Sequence, residues 1–393
     1  MDAPNKYKGY TIVNPLMVGG IVPDDVAGKL CSEEWVKVGY SVCFNCLEGR
    51  SGLVTKPNVK AHLEEVSAFF GGDVSEHTFG CRAAQFAVMK FAREFSEETG
   101  RAKVVVADPN SHYSTSIAAE MAGLKVVEPP HNGYPEYKYT PESFRDKIAE
   151  VREQEGKPPS LVVVTHADPY YGNLAPAAEV GRICEEEDVP YMVNAAYTGG
   201  ILPINMKEIK ADFLTASAHK SMASLGPLGY LVTNHEHAKK VFEPSKMRPD
   251  WSGRAFGKKI PNIFGCSVGG IPLISSMLSF DHVRDRVKHW DAELSRTRKF
   301  AEALEDLGGG EIMLLGQNPH NHHLLHFETP LLWKISEKHK RKGFFLAEEL
   351  ESNNITGVHR GLTKHIKISV YGLSEDEAGR VIGVFKGIAS QKN

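Results

Sequence analysis

From Lys103 onward the chain alternates short apolar runs with amphipathic stretches, and no other feature constrains its fold as much. Lys103-Val-Val-Val-Ala, Leu124-Lys-Val-Val, Leu161-Val-Val-Val-Thr, Tyr191-Met-Val-Asn194 and Asp212-Phe-Leu-Thr read as strands. Helices are predicted between them: one from the turn Asp108–Tyr113 to Gly123, one with Thr140 as N-cap and Pro141 at its first position, and one from Ala175 to Glu187. Strands that are apolar along their whole length are covered on both faces, so the repeat predicts an α/β domain built on a mostly parallel sheet. In such sheets ligands bind beyond the carboxyl ends of the strands.

Polar residues gather at those ends: His112-Tyr113, His166-Ala-Asp168-Pro-Tyr-Tyr171-Gly-Asn173, Asn194 and Ser217-Ala-His219-Lys220. Lys220 follows a strand and precedes a Gly/Pro-rich break, a place where a lysine amine can form a Schiff base with an electron-sink cofactor. In isolation the window reads better as a solvated loop lysine. The convergence of several strand ends on one crevice shifts the reading toward function. Upstream, 58–70 reads as a helix ended by Gly71-Gly72, and Thr78-Phe-Gly80-Cys81-Arg82 opens another whose apolar positions 84, 87, 88, 91, 92 and 95 keep helical spacing. A small-residue turn entering a helix is either a plain helix start or a phosphate site made of backbone N–H groups and the positive dipole end.

The 46 basic and 49 acidic residues give a formal charge of −3, which argues against a protein that coats nucleic acid while allowing a local basic face. Residues 239–259 supply one: Lys239, Lys240, Lys246, Arg248, Arg254, Lys258 and Lys259 against Glu243 and Asp250, with Trp251 and Phe256 interleaved. This is equally a solvated loop and a phosphate-contacting surface. No apolar run is long enough to span a membrane and the N-terminus lacks a secretory signal, so no membrane association and a cytoplasmic location are expected.

Six cysteines in a long chain of this kind suit reduced, catalytic or metal-binding roles better than a disulfide framework. Cys43-Phe-Asn-Cys46 is a Cys-x-x-Cys pair without the second pair that a closed zinc site needs, which leaves sulfur handling and metal binding equally open. His320, His322, His323 and His326 read as a strand with polar edges rather than a metal site. Arg360 and Lys364, just before a last strand at 365–371, suit an anionic substrate group. The expected organisation is an N-terminal arm (1–55), a large domain (56–275) and a smaller α+β C-terminal domain (276–393) reached through helices near 271–280 and 282–307.

The order of Gly80-Cys-Arg82, His112, Asn194 and Ser217-Ala-His-Lys220 resembles the fold-type I pyridoxal-phosphate enzymes, with the aspartate-aminotransferase-like fold. Adding Asn14-Pro-Leu, Gly19-Gly20, Tyr40-Ser-Val-Cys43-x-x-Cys46 with Gly49-Arg50, Asn194-Ala-Ala-Tyr197, Gly265-Cys266 and Lys367-Ile-Ser-Val-Tyr-Gly-Leu373, the chain is similar along nearly its whole length to the Sep-tRNA:Cys-tRNA synthase family, archaeal transferases that turn O-phosphoseryl-tRNA(Cys) into cysteinyl-tRNA(Cys). The resemblance implies pyridoxal 5′-phosphate on Lys220, with Cys81, Arg82, Ser217 and His219 around its phosphate, His112 stacked on its ring and Asn194 at the ring nitrogen. Arg82, Tyr113, Arg360 and Lys364 would contact substrate, and Cys43, Cys46 and Cys266 would carry a persulfide or ligate an iron–sulfur cluster. It further implies a homodimer, the phosphoserine-bearing tRNA as partner and the phosphoseryl-tRNA synthetase as another candidate partner. Departures are Cys81 in place of alanine, Phe79 in place of asparagine, Ala195 in place of glycine, and Gly200-Ile-Leu in place of a Gly-Arg-Met-like continuation. The rival readings are a desulfurase or lyase acting on free amino acids and a non-catalytic sulfur or iron–sulfur scaffold.

Overall fold

The computed structural model describes residues 8–32, 41–42, 57–257, 259–263 and 268–392; Cys43, Cys46 and Cys266 lie outside the described residues. In chain order the strands are β1 (Thr11–Ile12), β2 (Ser41–Val42), β3 (Val74–Thr78), β4 (Ala102–Ala107), β5 (Lys125–Val127), β6 (Pro159–Thr165), β7 (Tyr191–Asn194), β8 (Phe213–Ser217), β9 (Gly229–Thr233), β10 (Val268–Gly269), β11 (Met313–Leu315), β12 (Leu325–Glu328), β13 (Ile355–Thr356) and β14 (His365–Ile368). Seven of them form one sheet in the order β3-β9-β8-β7-β6-β4-β5. The pairs from β5 through β8 are parallel, while β9 is antiparallel to both of its neighbours, β8 and β3. The sheet is thus mostly parallel, as the alternation predicts.

Its strands carry apolar residues at successive positions because both faces are covered. Val105, Leu161, Val163, Met192 and Phe213 pack with Ala84, Val88 and Phe91 of the helix Cys81–Thr99. Val104, Val106, Val162, Val164 and Val193 pack on the other side with Phe144 and Ile148 of the helix Glu142–Glu155 and with Val180 and Ile183 of Ala177–Glu186. Period-two alternation therefore divides one apolar run between two cores. β3 escapes the sequence reading for the opposite reason: Ser75, Glu76 and His77 are buried polar residues that no apolar pattern announces. Burial pushes the Glu76 carboxyl up to about 8 and the His77 imidazole down to about 4, so both favour their neutral forms near pH 7.

The N-terminal segment, expected to be an arm with little regular structure, contains the helix Asp24–Ser32 and pairs β1 in parallel with β13. Between these elements, Gly19 and Gly20 press on the turn that holds Lys220. A Cβ on Gly20 would stand 2.0 Å from the His219 carbonyl oxygen, and one on Gly19 would stand 2.8 Å from that of Lys220. Only glycine permits this approach.

The helix Gly270–Arg286 runs further than predicted and breaks at a 3₁₀ turn, Val287–His289, before Trp290–Gly308. β11, β12 and β14 form an antiparallel sheet around a core that includes Phe300, Leu304, Phe327, Leu332 and Phe385, the α+β unit expected at the C-terminus. Its last helix, Glu375–Ala389, starts with the predicted Ser374/Glu377 capping box. β10 pairs antiparallel with β2, matching Val268 to Val42 and Gly269 to Ser41. His320, His322 and His323 precede β12 as buried linkers: their rings meet Leu324 O at 2.8 Å, Tyr197 O at 3.2 Å and Ser369 Oγ at 3.0 Å. His326, within β12, meets Tyr170 O at 2.7 Å. Among the described residues no group of three or more side chains could hold a metal ion, and no helix is long and apolar enough to cross a membrane.

Candidate active site

A cavity of about 190 Å³ opens at the carboxyl ends of the central strands, lined by Gly80, Arg82, His112, Asn194, Ser217 and Lys220 among others. Lys220 reaches it because β8 ends at Ser217 and passes into a one-turn helix, Ala218–Ser221. Its Nζ lies 3.4 Å from the Tyr197 hydroxyl and 4.5 Å from the centre of the Tyr197 ring. The ring face and hydroxyl together fix where the amine sits.

The cavity floor is a buried polar network. Asn194, the last residue of β7, accepts the Ala196 N–H on Oδ1 at 3.1 Å, with Cys81 Sγ 3.3 Å from the same oxygen. A backbone N–H can only donate, which assigns the amide oxygen and leaves the NH₂ group as what Asn194 offers a ligand. Cys81 Sγ also lies 3.3 Å from Thr215 Oγ1 and accepts from Gln85 Nε2 at 3.4 Å. Gln85 Oε1 in turn accepts from Ser114 and Thr115 at 3.2 and 3.3 Å. Burial raises the Cys81 thiol above its ordinary value, so it remains a protonated member of the floor.

His112 caps the helix Tyr113–Met121, its Nδ1 accepting the Ser114 N–H at 3.2 Å. That bond places the ring proton on Nε2. Burial, then the charges of Lys220 and Arg82, lower its pKa to about 4, so the imidazole is neutral at physiological pH. Arg82 and Tyr113 form an exposed rim, the guanidinium 6.0 Å from the Tyr113 ring centre.

At the far end the helix Cys81–Thr99 presents its N-terminus. Gly80 precedes it with φ +79 and provides no side-chain cap. Gly229 packs beside it so closely that a Cβ there would stand 2.4 Å from the Gly80 carbonyl carbon. The unencumbered N-terminus, with Ser217 Oγ 3.3 Å from His219 Nδ1 alongside, suits a phosphate group. A lysine amine, an amide donor, a neutral imidazole and a glycine-lined helix N-terminus within one cavity fit pyridoxal phosphate.

Not every predicted site residue is here. Arg360 pairs with Glu351, and Lys364 Nζ lies 5.3 Å over the Trp333 ring; neither lines the cavity. The strand end after β6 also turns away. Asp168 accepts N–H groups of Tyr170, Tyr171 and Asn173 at 2.8, 2.7 and 3.0 Å, and Lys367 reaches Pro169 O at 2.6 Å, tying this turn to β14. Tyr197, Gln85 and Thr215 are the site residues the sequence reading passed over. Gln85 sits one helical turn after Cys81 and Tyr197 just beyond a strand end, spacings that could have found both.

The chain matches, over residues 41–388, the family described as O-phosphoseryl-tRNA(Sec) selenium transferase, SepSecS. It is 44% identical over 392 residues to the O-phospho-L-seryl-tRNA:Cys-tRNA synthase 2 of Archaeoglobus fulgidus, covering 100% of this chain and 97% of that protein. It is 39% identical to the O-phospho-L-seryl-tRNA:Cys-tRNA synthase of Methanococcus maripaludis, covering 98% of each. A solved complex of SepCysS with the SepCysE N-terminal domain superposes with a TM-score of 0.86 at 38% identity, covering 99% of this chain and 97% of that one. A cysteine desulfurase from Thermococcus onnurineus NA1, at 18% identity and a TM-score of 0.73 over 98% of this chain and 95% of that one, shares the fold alone. The architecture is that of the fold-type I enzymes, and the chain belongs to the SepSecS family, standing within it beside the O-phospho-L-seryl-tRNA:Cys-tRNA synthases.

Proposed function

We propose that the chain converts O-phosphoseryl-tRNA(Cys) to cysteinyl-tRNA(Cys) by β-replacement. The observation that carries this reading is one cavity uniting Lys220, Asn194, His112 and the Gly80 helix N-terminus in a chain matching cysteine-forming relatives end to end. Pyridoxal phosphate, when bound, supplies the electron sink that lets Cα lose its proton and Cβ lose phosphate. Lys220 holds the cofactor and then moves the Cα proton, its amine positioned by Tyr197. Asn194 would offer its free NH₂ group to the ring nitrogen, which would then carry no proton of its own. The sink is weaker than one backed by a carboxylate, and with phosphate as a good leaving group it suffices. His112, in the cavity wall and neutral, would lie against the ring without adding charge. Arg82 at the rim meets the anionic substrate, and Tyr113 flanks it.

Sulfur comes through Cys43, Cys46 and Cys266. The terminal sulfur of a persulfide forms the new bond to Cβ, a second thiol breaks the S–S bond and releases the product thiol, and sulfide opens the resulting enzyme disulfide to give back one persulfide and one thiol. The β2–β10 pairing supports this role, since β2 ends one residue before Cys43 and β10 begins two residues after Cys266. We take the persulfide over an iron–sulfur cluster as the working form. A homodimer in the cytoplasm, the phosphoseryl-tRNA synthetase and a SepCysE-like protein complete the proposed setting.

The test is to incubate the cofactor-loaded protein with sulfide and phosphoseryl-tRNA(Cys). Cysteinyl-tRNA and inorganic phosphate are expected in equal amounts. Sulfur release from free cysteine with no action on the tRNA substrate would replace this reading with a desulfurase.

A further inference from the structure

Residues 245–257 form a surface loop closed at its neck by Lys259. The Ser245 N–H donates to Lys259 O at 2.6 Å across its neck, and Asn262, buried beneath, donates to Val241 O at 3.4 Å. Val241 and Ile263 on either side are 0% and 5% exposed, so the base is anchored in the core while the tip stands in solvent. At that tip Trp251 is 99% exposed. Indole is the largest apolar side chain, and leaving it wholly in water serves no folding purpose. Compact closed loops of this kind are frequently functional.

The charges are arranged around it. Lys240 and Lys246 near the base are neutralised by Glu98 and Glu243. Arg248 and Arg254, exposed on either side of Trp251, form no ion pair among the described residues. Met247, 68% exposed, shares the loop, but Trp251 itself is flanked by Asp250, Ser252 and Gly253, so the loop presents one ring and one thioether among polar residues, not the broad apolar patch that a subunit interface places at its centre. A lone exposed ring between cations that no carboxylate neutralises is the combination that takes a stacked base and its adjoining phosphates.

We propose that the loop 245–257 is an RNA-contacting surface, Trp251 stacking on an unpaired base of the tRNA while Arg248 and Arg254 engage phosphates. This rests on the tRNA substrate proposed above and assigns part of its contact surface. It also reconciles a protein of net charge −3 with a polyanionic substrate, because the attraction is concentrated at one loop.

The experiment is a fluorescence titration with uncharged tRNA(Cys) at several salt concentrations. Trp251 is one of four tryptophans, and quenching on tRNA addition should vanish in Trp251→Phe, with affinity largely kept. Trp251→Ala should raise Kd about tenfold. The double change Arg248→Ala, Arg254→Ala should flatten the slope of log Kd against log salt by about 1.5. Unchanged Kd and slope in both variants would overturn the proposal. So would a Trp251→Ala variant whose self-association changes in sedimentation while its tRNA affinity does not, which would make the loop an interface between copies. Conversion of phosphoseryl-tRNA(Cys) by the wild type is scored alongside. Failure of the functional reading shows there, and failure of the loop assignment shows in the binding curves.

Discussion

Arg286 ends the helix Gly270–Arg286 half-buried, and its hydrogen bonds go to carbonyl oxygens: Nε to Gly200 O at 2.7 Å, Nη2 to Gly19 O at 3.0 Å and to Ser221 O. Burial lowers its pKa from the ordinary value, but a guanidinium keeps its proton. The three acceptors belong to the N-terminal segment, the loop after β7 and the residue following Lys220, so one side chain gathers the pieces that set the Lys220 turn. Each hydrogen bond from a charged donor contributes about 1.5–3 kcal/mol, and the sum is not additive. Arg286→Ala also strands buried carbonyls, so we expect a loss of about 3–5 kcal/mol. Arg286→Lys retains the charge but not the fork, and is the informative variant. It should lose about 1–3 kcal/mol and, by letting the Lys220 amine drift by about 1 Å, cut kcat by about two orders of magnitude. Urea unfolding and single-turnover phosphate release measure the two effects. A variant as stable as wild type with kcat within about twofold would refute the positioning argument. So would one with lowered stability and intact kcat, since that is the signature of a merely structural arginine.

Other expectations follow from the same geometry. Asn194→Asp replaces an N–H donor by a carboxylate that holds a proton on the ring nitrogen, so exchange of the Cα hydrogen with deuterated solvent should rise while net conversion falls; unchanged exchange would count against the weak-sink argument. Gly229→Ala drives a methyl into the Gly80–Cys81 backbone and should weaken cofactor affinity at least tenfold in equilibrium titration. His62 and His323 are pushed down to about 3, and His166 and His320 to about 4, all by burial first. Their folded pKa values lie below the unfolded value near 6.5, so the unfolded chain takes up more protons and stability is lost as pH falls from about 7 toward 4. Glu76, Asp108 and Asp168, raised by burial to about 8, 7 and 6, oppose this trend, but the buried imidazoles outnumber them. Thermal midpoints that stay level or rise on acidification through that window would contradict the burial of these imidazoles.

The strands β4 and β6–β8 were legible because each is apolar at successive positions, and the order of strand ends pointed to Lys220, Asn194 and His112. β3 was not, because its buried Ser75, Glu76 and His77 are tolerated only through tertiary surroundings that no local pattern records. The helix break at Val287–His289 was misplaced, since the composition changes from apolar to charged at Asp281 while the helix Gly270–Arg286 continues through that change. Arg286 itself reads in sequence as one more surface cation between Asp285 and Val287. The turn 166–173 looked like a site because its polar residues follow a strand end; the Asp168 carboxylate instead accepts the backbone of its own turn. Arg360 and Lys364 looked like anion ligands for want of knowledge that Glu351 and Trp333 adjoin them.

Everything proposed for the cavity depends on Lys220 being the residue that holds the cofactor. Borohydride reduction of the pyridoxal-phosphate-loaded protein, followed by peptide mapping, measures this directly. The account predicts a stable pyridoxyl adduct on the peptide containing Ser217-Ala-His-Lys220 and its absence, together with turnover, in Lys220→Ala. An adduct on a different lysine, or full turnover in Lys220→Ala, would contradict it.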